Sequence, residues 1–413
     1  MLPSHVTFPA ANKIQIDTLQ TLAACANNYG PQTISNYANS IWDTIRFEIL
    51  SANDEDVSSQ ALLLLRAITT TLSFGLSPTA PSSSPLFTFL RTVVETCSKE
   101  LRDIEAKMAR PAGKVLSTCS SVSAPANKFI VGKVIPQLIL LFRETDSTNK
   151  RTAILDVLNG FLDATREVFG ETRDVEEVPI MLCKDDLFEV YSKGFLGSGS
   201  EETTYKITAL EGFRKLLSLK GILSNNEIGI VVQYFDDVVL RDENEETWYI
   251  QSLQTLIGSG KVLAALAELA KTKPQLILDI SFPAFLAELP DSEIVEKREG
   301  SLRPRKGFKT ILAGLAQISS ERVIFEVLLR RLFSKLEIVL SSICIIHDAT
   351  NRRHHDVYDL SPRHSRDYIP CHTEEVVDQG CGYTLLHRHS RPHVAQQACC
   401  RCHDSWTENK NLV

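Results

Sequence analysis

The side chains best able to do chemistry lie at the end of this 413-residue chain. Cys399, Cys400, Cys402 and His403 crowd into one short stretch, and Cys381 and His389 upstream are further donors. Thiolate and imidazole are the ligands zinc favours, and four of them would close a tetrahedral structural site. The spacing argues against it. Adjacent cysteines rarely serve one ion well, and no CxxC…CxxC framework surrounds the set. No metal is expected, and these residues define a zinc-binding alternative.

Elsewhere the motifs of catalysis are missing. Gly194 to Gly199 (GFLGSG) resembles a phosphate loop only in its glycines, since it lacks the lysine and joins two helical patterns. There is no GxSxG and no HExxH, and His5 is the one histidine before residue 347. Acidic residues cluster in polar turns, where a solvated face accounts for them. Arg298, Arg303, Arg305 and Lys306 could meet phosphate, but Glu296 and Glu299 alternate with them. A net charge of −7 also speaks against a dedicated nucleic-acid surface. Trp42 and Trp248 fall in apolar stripes and read as core. The sequence predicts no catalytic residue, no resident cofactor and no direct nucleic-acid contact.

What the rest of the chain can do follows from its periodicity. Between Lys128 and Gly170, Val131, Val134, Ile135, Leu138, Leu141 and Phe142 recur three or four residues apart. Ile154, Val157, Leu158, Phe161, Thr165 and Val168 do the same after the turn RETDSTN. Each set marks one stripe of a helix, and the short turn forces an antiparallel return. Pro136 should kink the first helix, while Asp146 in the turn and Lys150 and Arg151 opening the second are marks of a HEAT repeat. Such a hairpin cannot bury both stripes alone, so it requires stacked neighbours.

The plan recurs along the chain. First helices are expected to begin near residues 34, 86, 128, 185, 224, 274 and 321, at the intervals of about forty to fifty residues such units use. Ile14 to Tyr29 reads as the second helix of a unit whose first is absent. Ser224 and Glu227 form a capping box opening the helix to Val239, whose partner is expected around Trp248, Leu253 and Leu256. Lys261 to Thr272 then restarts the pattern, and Pro283 repeats the device of Pro136. The fold class is all-α: an α-solenoid of six to seven HEAT-like antiparallel hairpins over residues 1–343.

Residues 344–413 break that plan. Six of the ten cysteines and nine of the ten histidines lie there, whereas Cys25, Cys97, Cys119 and Cys183 are scattered over apolar helix positions. A non-helical, disordered tail of out-of-frame or intron-derived origin is expected, without function of its own. Val131 to Phe142, the longest apolar run, is interrupted by Lys133 and Gln137 and is too short to cross a membrane. The opening MLPSHVTFPAANK has no charged-then-apolar signal pattern, so cytoplasm and nucleus are the expected locations.

Several stretches resemble one family. QIDTLQTLAACANNYG, SIWDTIRFEIL, KFIVGKVIPQLILLF, KRTAILDVLNGFLDA and SFPAFLAELPDSE are similar in wording and order to the central region of the MMS nineteen family, also called Met-eighteen. The resemblance runs over residues 14–340 and rests on no invariant motif, so it carries over no site residue. It implies a non-enzymatic HEAT scaffold that presents late cytosolic iron–sulfur assembly factors to apoprotein clients such as DNA helicases and polymerases. Family members extend further on both sides, so an internal fragment is expected, lacking the C-terminal repeats where assembly factors dock. A nuclear-transport HEAT receptor is the alternative within the same architecture.

Overall fold

The computed structural model describes residues 8–51, 54–76, 81, 83–170, 177–197, 203–240, 260–287 and 308–337. All of them fall within the unit Met1–Ala349. Cys381, His389, Cys399, Cys400, Cys402, His403, Trp248 and the basic run Arg298 to Lys306 lie outside the described residues, as does the whole 344–413 segment.

The described residues are helices and turns, with no strand among them. In chain order they are α1 (Phe8–Asn28), α2 (Pro31–Ser51), α3 (Glu55–Ser73), α4 (Pro85–Leu101), α5 (Ala109–Ser120), α6 (Ala124–Glu144) and α7 (Thr148–Phe169). There follow α8 (Lys184–Leu196), α9 (Thr203–Ser218), α10 (Asn225–Leu240) and α11 (Lys261–Thr272). The last are the composite α12 (Pro274–Ala287), α13 (Phe308–Ile318) and α14 (322–337). Hairpins form between α2 and α3, α4 and α5, α6 and α7, α8 and α9, α10 and α11, and α12 and α13. Second helices stack on second helices from α1 through α3, α5, α7, α9 and α11 to α13, and α2, α4, α6 and α8 stack as a parallel first layer. The chain is an all-α solenoid.

Local chemistry sets the ends of these helices. Asp54, Ser123 and Ser147 cap α3, α6 and α7 by accepting from the amides of Val57 (3.0 Å), Ala126 (3.4 Å) and Lys150 (3.4 Å). The Ser224–Glu227 box forms in both directions: the Ser224 amide donates to Glu227 Oε2 at 2.7 Å, and the Glu227 amide donates to Ser224 Oγ at 3.3 Å. The hairpin turn behaves as its HEAT-like pattern requires, with Arg151 reaching back to Asp146 at 3.3 Å.

Most of the expected stripes are buried, including Val131, Val134, Ile135, Leu138 and Phe142 on α6 and Ile154, Leu158, Phe161 and Thr165 on α7. Leu141 and Val168 are only partly covered, while Ile139 and Phe169 are buried in addition. A ladder helix packs on its hairpin partner and on its layer neighbours, so its buried arc is wider than one stripe.

Two differences from the sequence reading have physical causes. Lys261–Thr272, read as a restart, is α11 itself; it packs on α9, α10 and α13 and fills the second-layer place beside α10. The 241–259 stretch, expected to supply that partner, lies outside the described residues. In α12 the backbone widens into a π turn at Ile277–Ser281, just before Pro283. Proline has no amide to return to the carbonyl four residues back, and a wider turn relieves the clash of its ring.

Candidate interaction surface

Among the described residues no three His, Cys, Asp or Glu side chains gather into a metal-binding group. Cys97 and Cys119 are buried, and burial pushes both thiols upward, Cys119 to about 12. Such thiols stay protonated and act as small apolar side chains. Gly194 serves packing: a Cβ there would stand 2.9 Å from Ala209 Cβ and 3.0 Å from Leu155 Cδ1. Trp42 is fully buried, in accord with its place in an apolar stripe. The helix α6 is long and apolar enough by composition to span a membrane, yet its apolar side is packed inside the ladder.

What the described surface offers instead is a set of joints and recesses. At the centre a polar pin ties three helices together. The Tyr191 hydroxyl on α8 donates to Asn159 Oδ1 on α7 at 2.9 Å, and Asn159 Nδ2 donates to the Thr208 carbonyl on α9 at 3.0 Å. Tyr191 is completely buried and its phenol is held well above the usual range, first by desolvation and then by Asp163. Lys215 Nζ on α9 meets Asp163 on α7 at 2.6 Å. A second pin links Asn127 Nδ2 to Ser120 Oγ at 2.9 Å and to Thr165 Oγ1 at 3.3 Å.

Ion pairs then cross the seams between repeats. On the first layer Arg143 meets Asp186 and Glu189, each at 2.6 Å, and Lys184 meets Glu227 at 2.8 Å. These contacts hold Glu189 below the usual carboxylate range through Lys193 and Arg143, and raise Lys184 through Glu227. On the second layer Arg214 makes a forked contact with Glu268 at 3.0 Å, and Arg66 pairs with Glu167.

Among the described residues two recesses stand out on this surface. The larger, of about 510 Å³, lies on α3, α5 and α7 and is lined by Glu55, Ser58, Arg110, Lys114, Ser117 and Asp156 over a floor that includes Gly113 and Gly160. A smaller one of about 270 Å³ sits by the hairpin turns, among Arg102, Asp103, Glu144, Asp146 and Lys150. On α14, Ile324 and Leu328 are buried while Phe325, Leu329, Phe333 and Leu336 are exposed along an adjoining stripe. Sequence reasoning found neither the pins nor the larger recess. The shortness of α5 and the glycines at 113 and 160 were the available signal.

The chain is similar in sequence to several known proteins. Residues 9–51 match a family described as "Dos2-interacting transcription regulator of RNA-Pol-II". The chain is 26% identical over 240 residues to the "MMS19 nucleotide excision repair protein homolog" of Mus musculus, covering 58% of this chain and 23% of that protein. It is 24% identical over 315 residues to the protein of the same name from Xenopus laevis, covering 76% and 29%. With the "DNA repair/transcription protein mms19" of Schizosaccharomyces pombe it shares 23% identity over 330 residues, 79% of this chain and 30% of that one. The chain thus spans less than a third of the length of these relatives. Their names speak of repair and transcription, and none states a reaction.

Proposed function

We propose that this chain, which belongs to the MMS19 family, is a non-catalytic helical scaffold serving DNA repair, replication and transcription. The observation that carries the reading is the similarity itself, which with the Schizosaccharomyces pombe protein runs over 79% of the chain and therefore over most of the ladder. The finer role is iron–sulfur delivery: the scaffold holds late assembly factors near apoprotein clients, helicases and polymerases among them, in cytoplasm and nucleus. The cluster is cargo in this role. The mechanism is positional. Two partners held on one ladder meet at a raised effective concentration, with no group of the scaffold entering the transfer.

A rigid ladder suits that task. Stacked hairpins fix the distance between docking points, and the polar pins and seam ion pairs oppose slippage between repeats. The absence of a metal-binding group among the described residues is compatible with this role and does not test it.

The test is affinity purification of residues 1–413 and of residues 1–343 from cell extract, with co-purifying proteins identified by mass spectrometry. Iron–sulfur assembly factors, or their helicase and polymerase clients, are expected with both. Recovery of transport factors and their cargo would overturn the reading in favour of a transport receptor. Stoichiometric zinc in 1–413 that vanishes in 1–343 would instead point to the Cys399, Cys400, Cys402 and His403 cluster.

A further inference from the structure

The larger recess is a product of the sequence of α5. That helix has 12 residues, against 19 in α3 and 22 in α7 on either side of it. Small residues also let it sit low. A Cβ on Gly113 would press on Val157 at 2.9 Å, and one on Gly160 would touch Ser117 at 3.5 Å. The recess forms a trough along α5, lined from α3 on one side and α7 on the other.

The charges in that trough are not used as they are elsewhere in the layer. Lys215 meets Asp163 at 2.6 Å and Arg214 meets Glu268 at 3.0 Å, closing the seams beyond α7. Within the trough Arg110 Nε stands 3.8 Å from Asp156 Oδ2, and Lys114 and Glu55 have no ionic partner among the described residues. Arg110 and Lys114 are one helical turn apart on the same exposed side of α5 and both line the recess. Ser58 adds a hydroxyl that can donate to, or accept from, a peptide backbone, and Ser117, whose hydroxyl donates to the Lys114 carbonyl at 3.1 Å, can still accept.

We propose that this trough binds an extended segment of a protein partner, with one carboxylate side chain seated between Arg110 and Lys114. The inference rests on the scaffold reading, whose partners must dock on the ladder, and it names one docking point. A trough of about 510 Å³ has the room of a ligand site and accommodates a few residues of extended chain. The two acids decide the chemistry of the occupant. Glu55 and Asp156 flank the basic pair, so a run of phosphates would meet repulsion on both sides, while a single carboxylate with basic or neutral neighbours meets complementary charge throughout.

The probe is a fluorescein-labelled, end-capped glycine–serine peptide with one central glutamate and a lysine two positions to each side, compared with its glutamine twin. Anisotropy with the full chain should show the glutamate peptide binding at least about tenfold more tightly, a difference of about 1.4 kcal/mol. Arg110→Glu combined with Lys114→Glu should abolish that difference, whereas Lys193→Glu, on the first layer, should leave it intact. Both trough residues are exposed, so the double variant should melt like the parent; if it does not, Lys114→Gln alone should still weaken binding at least about threefold. Failure of both peptides to bind, equal binding of the two, or displacement by a single-stranded oligonucleotide overturns the proposal. Repair or assembly factors that co-purify undiminished with the double variant would also overturn it, while leaving the scaffold reading standing.

Discussion

The two halves of the ladder differ in how each treats the polar group at one of its seams. Where α7, α8 and α9 meet, polar groups answer one another: Tyr191 with Asn159, Asn159 with the Thr208 carbonyl, and Lys215 with the half-exposed Asp163. Between α10 and α12 the corresponding position holds Asp236, 3% exposed, whose carboxylate oxygens find no well-directed hydrogen bond. Ser281 lies on the π turn opposite, near enough to favour the carboxylate but not aligned to bond it. Desolvation dominates and raises the Asp236 carboxyl to about 7, with Ser281 pulling back and Asp237 adding to the rise. The difference teaches where such a ladder yields. A seam closed by paired groups resists opening, and one closed over an unpaired acid depends on the proton it carries.

The most severe test of the well-built half is Leu158→Ala. Leu158 is fully buried at the α7 seam, and truncation should cost about 2–5 kcal/mol in urea unfolding. A neutral result would mean that α7 does not carry the core assigned to it. Leu158 was also one of the residues most plainly legible in the sequence. Stripe, turn and cap are local signals, and the Val131 to Phe142 and Ile154 to Thr165 sets, the Ser224–Glu227 box and the buried Trp42 follow from spacing alone. The starts of the first helices were legible for the same reason. What escaped was set by contacts between distant helices. No local pattern tells that Asn159 will meet Tyr191, that α11 rather than the stretch around Trp248 will pack beside α10, or that Asp236 will be shut away from water. The larger recess needs three helices at once, and only its small residues could have hinted at it.

In the second half the expected effect is nearly as large but depends on pH. The folded carboxyl of Asp236 sits near 7, above the unfolded value of 3.8, so its stabilising contribution is complete below about pH 4 and is lost as pH rises through 7. The full swing is on the order of 4 kcal/mol. Asp236→Asn should remove that swing. The urea midpoints of parent and variant should diverge between pH 5 and pH 8 in the variant's favour. Parallel profiles would show that water or a bonded neighbour already satisfies the acid, and the contrast between the halves would fall.

Gly212→Ala returns to the first half and sharpens the contrast through packing. A Cβ at this position would come within 2.0 Å of the Tyr191 ring, so the ring must move and the pin to Asn159 must loosen. About 1–3 kcal/mol of destabilisation is expected from overpacking. Tyr191 fluorescence and hydrogen exchange of the α8 and α9 amides should change together. Loss of stability without any change at Tyr191 would place the strain elsewhere.

The smallest effect is expected at the joint between the halves, where Lys184 on α8 meets Glu227 at the start of α10. Glu227 has two duties there, accepting from the Ser224 amide as a cap and from Lys184 as an ion-pair partner. Both side chains are about one-fifth to one-quarter exposed, so the pair is partly screened, and Lys184→Gln should cost at most about 1 kcal/mol. The cap is local and survives salt, while the ion pair does not. The coupling between Lys184→Gln and Glu227→Gln in a double-mutant cycle should therefore shrink as sodium chloride is raised, while the cost of Ser224→Ala should persist. A coupling insensitive to salt would make the contact part of the packed seam, and the boundary between the two halves would then lie beyond α10.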